Sequence, residues 1–262
     1  MTAFVQVGEQ RIAYERQGAG APLLLMHGAE ASRLMFAALV PRLARHFTVI
    51  AYDQRDCGDT EGPEQASTLA DLADDAQQLI AALGLQRAHV FGSSFGGRVA
   101  QALALRHPRS VDRLVLGSTW PLPDTYEALC PDAPHLAELR RQLPATAEAL
   151  ATWFFPDAFL QQRPELRAVF ANARPESARS ARRAATVQGT LEAQASAIAA
   201  PTLLVAGELD RVVPPGVTLG MAARIRGART VLLPGIGHAT ALQAPEMLAQ
   251  HLVRFLLGDS QD

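Results

Sequence analysis

The chain contains no lysine; all 24 of its basic residues are arginine. That absence excludes Schiff-base chemistry and any mechanism that turns on a lysine amine. Cysteine is scarce too. Cys57 and Cys130 lie far apart with no ligand-like spacing, so neither a disulfide framework nor a zinc site is indicated. No uninterrupted apolar stretch is long enough to span a bilayer. The opening Met1-Thr2-Ala3-Phe4-Val5-Gln6 lacks the basic start and apolar core of a signal peptide. These absences predict a soluble, cytoplasmic protein with no membrane partner. Large net charge is missing as well. A formal charge of −2 over 262 residues argues against nucleic acid as the main partner and leaves small molecules, neutral or anionic. Arginine without lysine, together with heavy use of alanine, points to a GC-rich bacterial genome.

What is present is a repeated alternation of strand and helix patterns. Phe4 to Val7 and Ile12 to Arg16 read as short strands around a Gly8-Glu9-Gln10 turn. Leu23 to Met26 is apolar throughout, as in a strand buried on both faces. Helical periodicity over Phe36 to Arg45 precedes a strand at Thr48 to Tyr52. Leu69 to Leu83 is helical, opened by Ser67-Thr68 as caps and closed at Gly84. Ala88 to Phe91, a helix over Arg98 to His107, and Leu114 to Gly117 continue the series. The pattern predicts a mostly parallel sheet with helices on both faces.

From Trp120 to Ala200 the alternation stops. Prolines 121, 123, 131, 134, 144, 156, 164 and 175 punctuate short helical pieces. It resumes at Pro201 to Ala206 and Thr230 to Leu233 and ends in a helix predicted over Ala241 to Leu257. The middle therefore reads as a helical insertion over the sheet's carboxyl edge, where open α/β sheets bind ligands. The predicted organisation is a core in two parts, 1–120 and 201–262, with a helical lid at 121–200 after the sixth strand.

The stretch Gly92-Ser93-Ser94-Phe95-Gly96 follows an apolar run and leads into an alanine-rich helix. In that setting Gly-x-Ser-x-Gly describes a nucleophile elbow, a strained turn that lifts the Ser94 hydroxyl out of the sheet. A serine hydroxyl needs a base to take its proton, and the base needs an orienting carboxylate. His238, in Pro234-Gly235-Ile236-Gly237-His238, and Asp210, in Gly207-Glu208-Leu209-Asp210, both follow predicted strands. The chain order is Ser94, Asp210, His238.

With these segments, Met26-His27-Gly28, Tyr52-Asp53-Gln54-Arg55 and Val212-Val213-Pro214 included, the chain resembles an α/β-hydrolase fold protein of the lid-bearing esterase, lactonase and carbon–carbon hydrolase group. The likeness covers nearly the whole length and is weakest in the insertion. It implies Ser94 as nucleophile, His238 as general base and acid, and Asp210 as the orienting carboxylate. It also implies an oxyanion hole from the backbone N–H groups of Phe95 and Ala29, and no metal or organic cofactor. The implied substrate is a small to medium, partly apolar ester or lactone, cleaved through an acyl-enzyme by a monomer or homodimer. Two rivals use the same triad: carbon–carbon hydrolysis, and the pyruvate elimination of a synthase group that Gly96-Gly97-Arg98 also resembles. A third is a non-catalytic ligand binder on a hydrolase fold.

Several residues carry competing readings. Glu208 competes with Asp210, which has the family spacing; Asp124 reads as a turn among the insertion's prolines. His27 reads as a loop brace, and His46, His89, His107, His135 and His251 as surface or packing residues. Relatives commonly read Asp-x-Arg-Gly where this chain has Asp53-Gln54-Arg55-Asp56. Aspartate tolerates positive φ better than most residues, so the loop reads as structural, tied down by Asp53 and Arg55. Some polyketide methyl esterases share Asp-x-Arg-Asp. Trp120, Trp153 and Phe154 are assigned to the substrate pocket, near Phe155, Phe159 and Phe170. Arg167, Arg174, Arg179, Arg182 and Arg183, opposed only by Glu176, read first as lid packing and a solvated basic face, and second as a carboxylate anchor.

Overall fold

Leu23-Leu24-Leu25-Met26 is apolar on every residue because both faces of its strand are covered. Leu23 and Leu25 join Val49, Ala51, Phe91, Val115, Leu203 and Val205 on one side of a sheet. Leu24 and Met26 join Ile50, Tyr52, Val90, Leu114, Leu116 and Leu204 on the other. The computed structural model describes residues 1–29, 31–171 and 177–258. Its strands are β1 (Ala3–Val7), β2 (Gln10–Gln17), β3 (Pro22–Met26), β4 (Thr48–Tyr52), β5 (Ala88–Ser93), β6 (Val111–Gly117), β7 (Thr202–Gly207) and β8 (Arg229–Leu233). They form one sheet of eight strands in the order β1-β2-β4-β3-β5-β6-β7-β8. β2 runs antiparallel to β1 and β4, and every pairing from β4 to β8 is parallel.

Helices cover both faces, as predicted. Against the sheet stand α1 (Val40–Leu43), α2 (Leu69–Ala82) and α3 (Phe95–Arg106). α2 begins at Thr68, whose side chain accepts the Asp71 N–H while Asp71 reaches back to the Thr68 N–H. That reciprocal cap satisfies donors that a helix start otherwise leaves unpaired. Between β6 and β7 lie α4 (Tyr126–Leu129), α5 (Ala133–Arg141), α6 (Ala147–Phe154), α7 (Asp157–Gln162) and α8 (Ala178–Gln188), with no strand among the described residues there. The fold closes with α9 (Pro215–Gly220), α10 (Thr240–Gln243) and α11 (Pro245–Leu257). Among the described residues no helix is long and apolar enough to cross a membrane.

Three helices differ from the sequence expectation by more than one residue, two of them at a proline. The helix expected over 36–45 is a 3₁₀ turn at Arg33–Phe36 followed by the single-turn α1, with Pro41 in its first turn. The final helix is two pieces because Pro245 supplies no N–H to continue α10 and instead starts α11. α3 starts at Phe95, directly after the serine, rather than at Arg98. The strand order reverses at β3, with β4 on one side and β5 on the other. The loops leaving β3 and β5 therefore part at their carboxyl ends and leave a crevice there.

Candidate active site

β5 ends at Ser93, and Ser94 follows at φ 55° and ψ −122°, outside the wells an L-residue favours. Two close approaches make glycine necessary around it. A Cβ on Gly96 would stand 2.2 Å from the Met26 carbonyl oxygen, and one on Gly92 would stand 2.3 Å from that of Gly96. The Ser94 N–H donates to the Gly117 carbonyl at 2.8 Å, tying the elbow to β6. Ser94 is half-buried.

The structure brings the three predicted residues together. His238 Nε2 lies 3.1 Å from Ser94 Oγ. His238 Nδ1 lies 2.9 and 3.0 Å from the two carboxylate oxygens of Asp210. A ring that donates Nδ1–H to a carboxylate has its Nε2 lone pair free to accept the Ser94 hydroxyl. Asp210 is itself fixed: its Oδ1 accepts the N–H groups of Val212 at 3.0 Å and Val213 at 2.8 Å. Glu208 is occupied elsewhere, accepting the Gly235 N–H at 2.8 Å and so bracing the loop before His238. Asp124 pairs with Arg224 at 3.0 Å.

The loop after β3 passes beside the elbow; a Cβ on Gly28 would lie 3.6 Å from that of Ser94. His27 holds this loop. Its Nε2 accepts the Gln54 N–H at 3.0 Å, its Nδ1 meets the Gly28 carbonyl at 2.8 Å, and its own carbonyl accepts from Gln54 Nε2 at 2.6 Å. Burial, aided by the Arg183 charge, pulls the His27 pKa from 6.5 down to about 3. The Ala29 carbonyl accepts from Arg183 Nε at 3.0 Å. Phe95 opens α3, where an amide N–H has no acceptor within its own helix.

Asp56 has φ 60°, as its glycine-like position demanded, and its carboxylate pairs with Arg182 at 2.8 Å. Left-handed backbone costs a non-glycine residue roughly 1–2 kcal/mol, and the ion pair explains why aspartate stands there. Asp53 is anchored by Arg33 and by the Asp59 N–H, and Arg55 by Asp75 of α2. Cys57 is buried, and burial raises its thiol pKa.

The insertion residues divide. Phe154 sets its ring edge-on to His238 at 5.3 Å, and its carbonyl accepts the His238 N–H at 3.0 Å. It also packs on Phe170 at 4.9 Å. Trp120 is buried against Tyr126 with its Nε1 unpartnered. Trp153 is buried between His135 and Arg211. Phe155 stacks on Phe159. The solvated basic face is corrected for three of the arginines, which grip the core. Arg179 donates to the carbonyls of Cys57 and Thr60, Arg182 pairs with Asp56, and Arg183 is buried over the Phe95 ring at 4.6 Å. Arg167 pairs with Glu148 at the surface, while Arg174 and Glu176 lie outside the described residues.

Sequence reasoning missed the part played by Arg98. Buried to 1% exposure, it donates to the carbonyls of Leu122 at 2.6 Å and Gly189 at 2.8 Å, one at each end of the insertion. Its signal was visible as a lone charge inside the buried run Phe95 to Ala104. Thr119 and Thr218, both at 0% exposure, gave no signal at all. Among the described residues no group of three His, Cys, Asp or Glu side chains is placed to hold a metal ion.

Comparison with known proteins agrees with this architecture. The family described as alpha/beta hydrolase fold matches residues 21–245. A 2-hydroxymuconate semialdehyde hydrolase of Pseudomonas sp. is 33% identical, over 92% of this chain and 87% of the relative. A protein of Agrobacterium fabrum named as a carbamate hydrolase is 29% identical, over 94% of this chain and 97% of the relative. The solved structure of a thermophilic esterase from Thermogutta terrifontis superposes with a TM-score of 0.81 at 28% identity, covering 98% of each chain.

Proposed function

The chain belongs to the α/β-hydrolase fold family, and from that premise we propose that it is a serine hydrolase cleaving a small to medium, partly apolar carboxylic ester or lactone. The observation that carries this reading is the unbroken hydrogen-bond line from Ser94 Oγ through the His238 ring to the buried Asp210 carboxylate. In the proposed mechanism His238 Nε2 takes the Ser94 proton as Oγ attacks the substrate carbonyl carbon. The Phe95 and Ala29 N–H groups receive the oxyanion, each such donor typically worth ~10²–10³ in rate. His238 returns the proton to the leaving alkoxide, leaving an acyl-enzyme. Water, deprotonated by His238, then releases the acid and restores the Ser94 hydroxyl. The insertion at 121–200 acts as a lid over the two core segments, 1–120 and 201–262. Phe154, with Trp120 and Trp153, supplies apolar surface on its inner side.

A second observation supports a substrate that carries a carboxylate. Arg183 is a buried cation whose hydrogen-bond partners are neutral: the Ala29 carbonyl and Gln54 Oε1. Its Nη1 is buried and unpartnered beside the Phe95 ring, and burial lowers its pKa. The nearby Asp56 carboxylate is paired with Arg182; a desolvated cation with no ion-pair partner of its own is unfavourable, and a substrate carboxylate would supply one. An acidic lactone meets that need, and so does the vinylogous diketone acid of a carbon–carbon hydrolase; a relative named 2-hydroxymuconate semialdehyde hydrolase, 33% identical, keeps that second class in view.

Side-by-side assay of p-nitrophenyl esters, lactones, carbamates and vinylogous diketones, each with and without a carboxylate, tests the substrate. Ser94→Ala should abolish turnover of every accepted member and block fluorophosphonate labelling while leaving the fold unchanged. Retained activity in that variant would overturn the mechanism. Wild-type protein that neither turns over nor is labelled would favour the ligand-binding reading.

A further inference from the structure

We propose that Thr119 and Thr218 form a bridge that holds the nucleophile elbow and the acid loop in register. Thr119 Oγ1 donates to the Ser94 carbonyl at 2.7 Å. The Thr119 N–H donates to Thr218 Oγ1 at 2.9 Å, and Thr218 Oγ1 donates to the Thr119 carbonyl at 2.7 Å. Both threonines are fully buried. A hydroxyl has one proton to give, so each donor in this chain is committed and no alternative arrangement competes. The Ser94 carbonyl is saturated as well, taking the Gly97 N–H at 2.9 Å beside the Thr119 hydroxyl.

The two ends of the bridge lie on the two loops that matter. Ser94 holds a backbone conformation that serine does not favour, so something must oppose its relaxation. The end of β6 does so from both sides: Gly117 accepts the Ser94 N–H, and Thr119 binds the Ser94 carbonyl. Thr119 leaves the sheet through Ser118, at φ 47°, whose N–H is held by Val205 of β7. At the far end, Thr218 sits in α9, which directly follows Pro214 and the Val212–Val213 amides that fix Asp210. Ser94 and Asp210 approach opposite nitrogens of one imidazole. A shift of either loop would therefore spoil one of the two hydrogen bonds. Thr119 and Thr218 touch neither substrate nor reacting atoms; they are positioning residues.

The inference rests on Ser94 being the nucleophile, so the test carries Ser94→Ala beside it. Thr119→Val and Thr218→Val keep the shape and remove the hydroxyls; Thr119→Ser and Thr218→Ser keep the hydroxyls. With an ester that the wild type turns over, each valine variant should lose ~10–100-fold in kcat, the range that small misplacements produce, with KM within about twofold. The Ser94 fluorophosphonate labelling rate should fall in parallel, measured well below each variant's Tm. The serine variants should recover most of the loss. The double valine variant should be no slower than the slower single, because groups acting as a unit are not additive. If a valine variant does not fold, the corresponding alanine variant, which adds no bulk, takes its place with the same expectations. Wild-type kcat in folded Thr119→Val, or losses that multiply in the double variant, would overturn the bridge while Ser94→Ala remains inactive. An active Ser94→Ala would overturn bridge and mechanism together.

Discussion

His27 gives the fold a specific sensitivity to acid. Its Nε2 accepts the Gln54 N–H, so a proton there removes the acceptor and places a charge in a fully buried site near Arg183. The folded pKa lies at about 3, against an ordinary value of 6.5. Because the unfolded chain binds the proton more readily, stability rises with pH. The contribution of neutral His27 is complete above 6.5 and is lost progressively as pH falls from 6.5 towards 3. Each unit in that window is worth about 1.4 kcal/mol. Near pH 4.5 the loss from this residue amounts to roughly 3 kcal/mol, a large share of typical domain stability. The assay is urea unfolding followed by Trp120 and Trp153 fluorescence, at about pH 7.5 and about pH 4.5, on wild type and His27→Gln. The variant will be weaker at the higher pH because it loses ring burial and packing. Its disadvantage should shrink by roughly 3 kcal/mol, within a factor of two, at the lower one. An unchanged gap between the two proteins would refute the reasoning.

Further outcomes follow from single contacts. Asp210→Asn keeps an oxygen for the Val212 and Val213 amides but no longer enforces the Nδ1–H tautomer; kcat should fall by ~10⁴ with little change in Tm. Glu208→Gln should leave kcat within a few-fold of wild type, and the opposite pattern would exchange the two acids. Arg98→Met abandons buried carbonyls at both ends of the insertion, and with charged hydrogen bonds at ~1.5–3 kcal/mol each the loss in urea unfolding should be roughly 3–5 kcal/mol. Arg183→Met should reduce kcat/KM for a carboxylate-bearing ester roughly 30-fold or more beyond any loss on its neutral analogue, as expected when one partner of a buried charge pair is removed. Equal losses on the two esters would assign Arg183 to loop bracing alone.

The parts of this molecule that could be read from sequence are those written locally. Apolar period and turn residues located the eight described strands; the inner ones, such as β3, β4 and β7, are covered on both faces and apolar along nearly their whole length, while the half-exposed β1 and β2 were marked by the turn between them. The elbow, the post-strand aspartate and the Gly-x-Gly-His segment were legible because close backbone approaches leave only glycine room to fit. Asp56 was legible for the same reason, its positive φ being forecast by the glycine it replaces. Helix ends near Pro41 and Pro245 were misjudged because apolar periodicity outran the prolines that stop it. Illegible were contacts whose partners lie far apart in the chain. Nothing near Thr119 marks it as the donor to Ser94, and nothing near Arg183 marks its guanidinium as the donor to the Ala29 carbonyl. A threonine or an arginine gains such a role only from what folding brings beside it.

That distinction bears on the insertion, the segment least legible in the sequence. A cover that only closed a pocket would need apolar contact and little else. Here three loops around the site receive a polar tie from it. The Phe154 carbonyl holds the His238 amide, Arg183 holds the Ala29 carbonyl, and Arg182 holds the Asp56 turn. In return α3, which begins at the elbow, holds both ends of the insertion through Arg98. Polar ties are short and directional, so displacement of α6 or α8 would move the imidazole and the β3 loop with it. Substitutions that loosen the insertion without entering the pocket, such as Arg182→Met, should therefore lower kcat and not merely raise KM. A pure KM effect would mean that the insertion contributes only to substrate capture and that the geometry around Ser94 is set by the core alone.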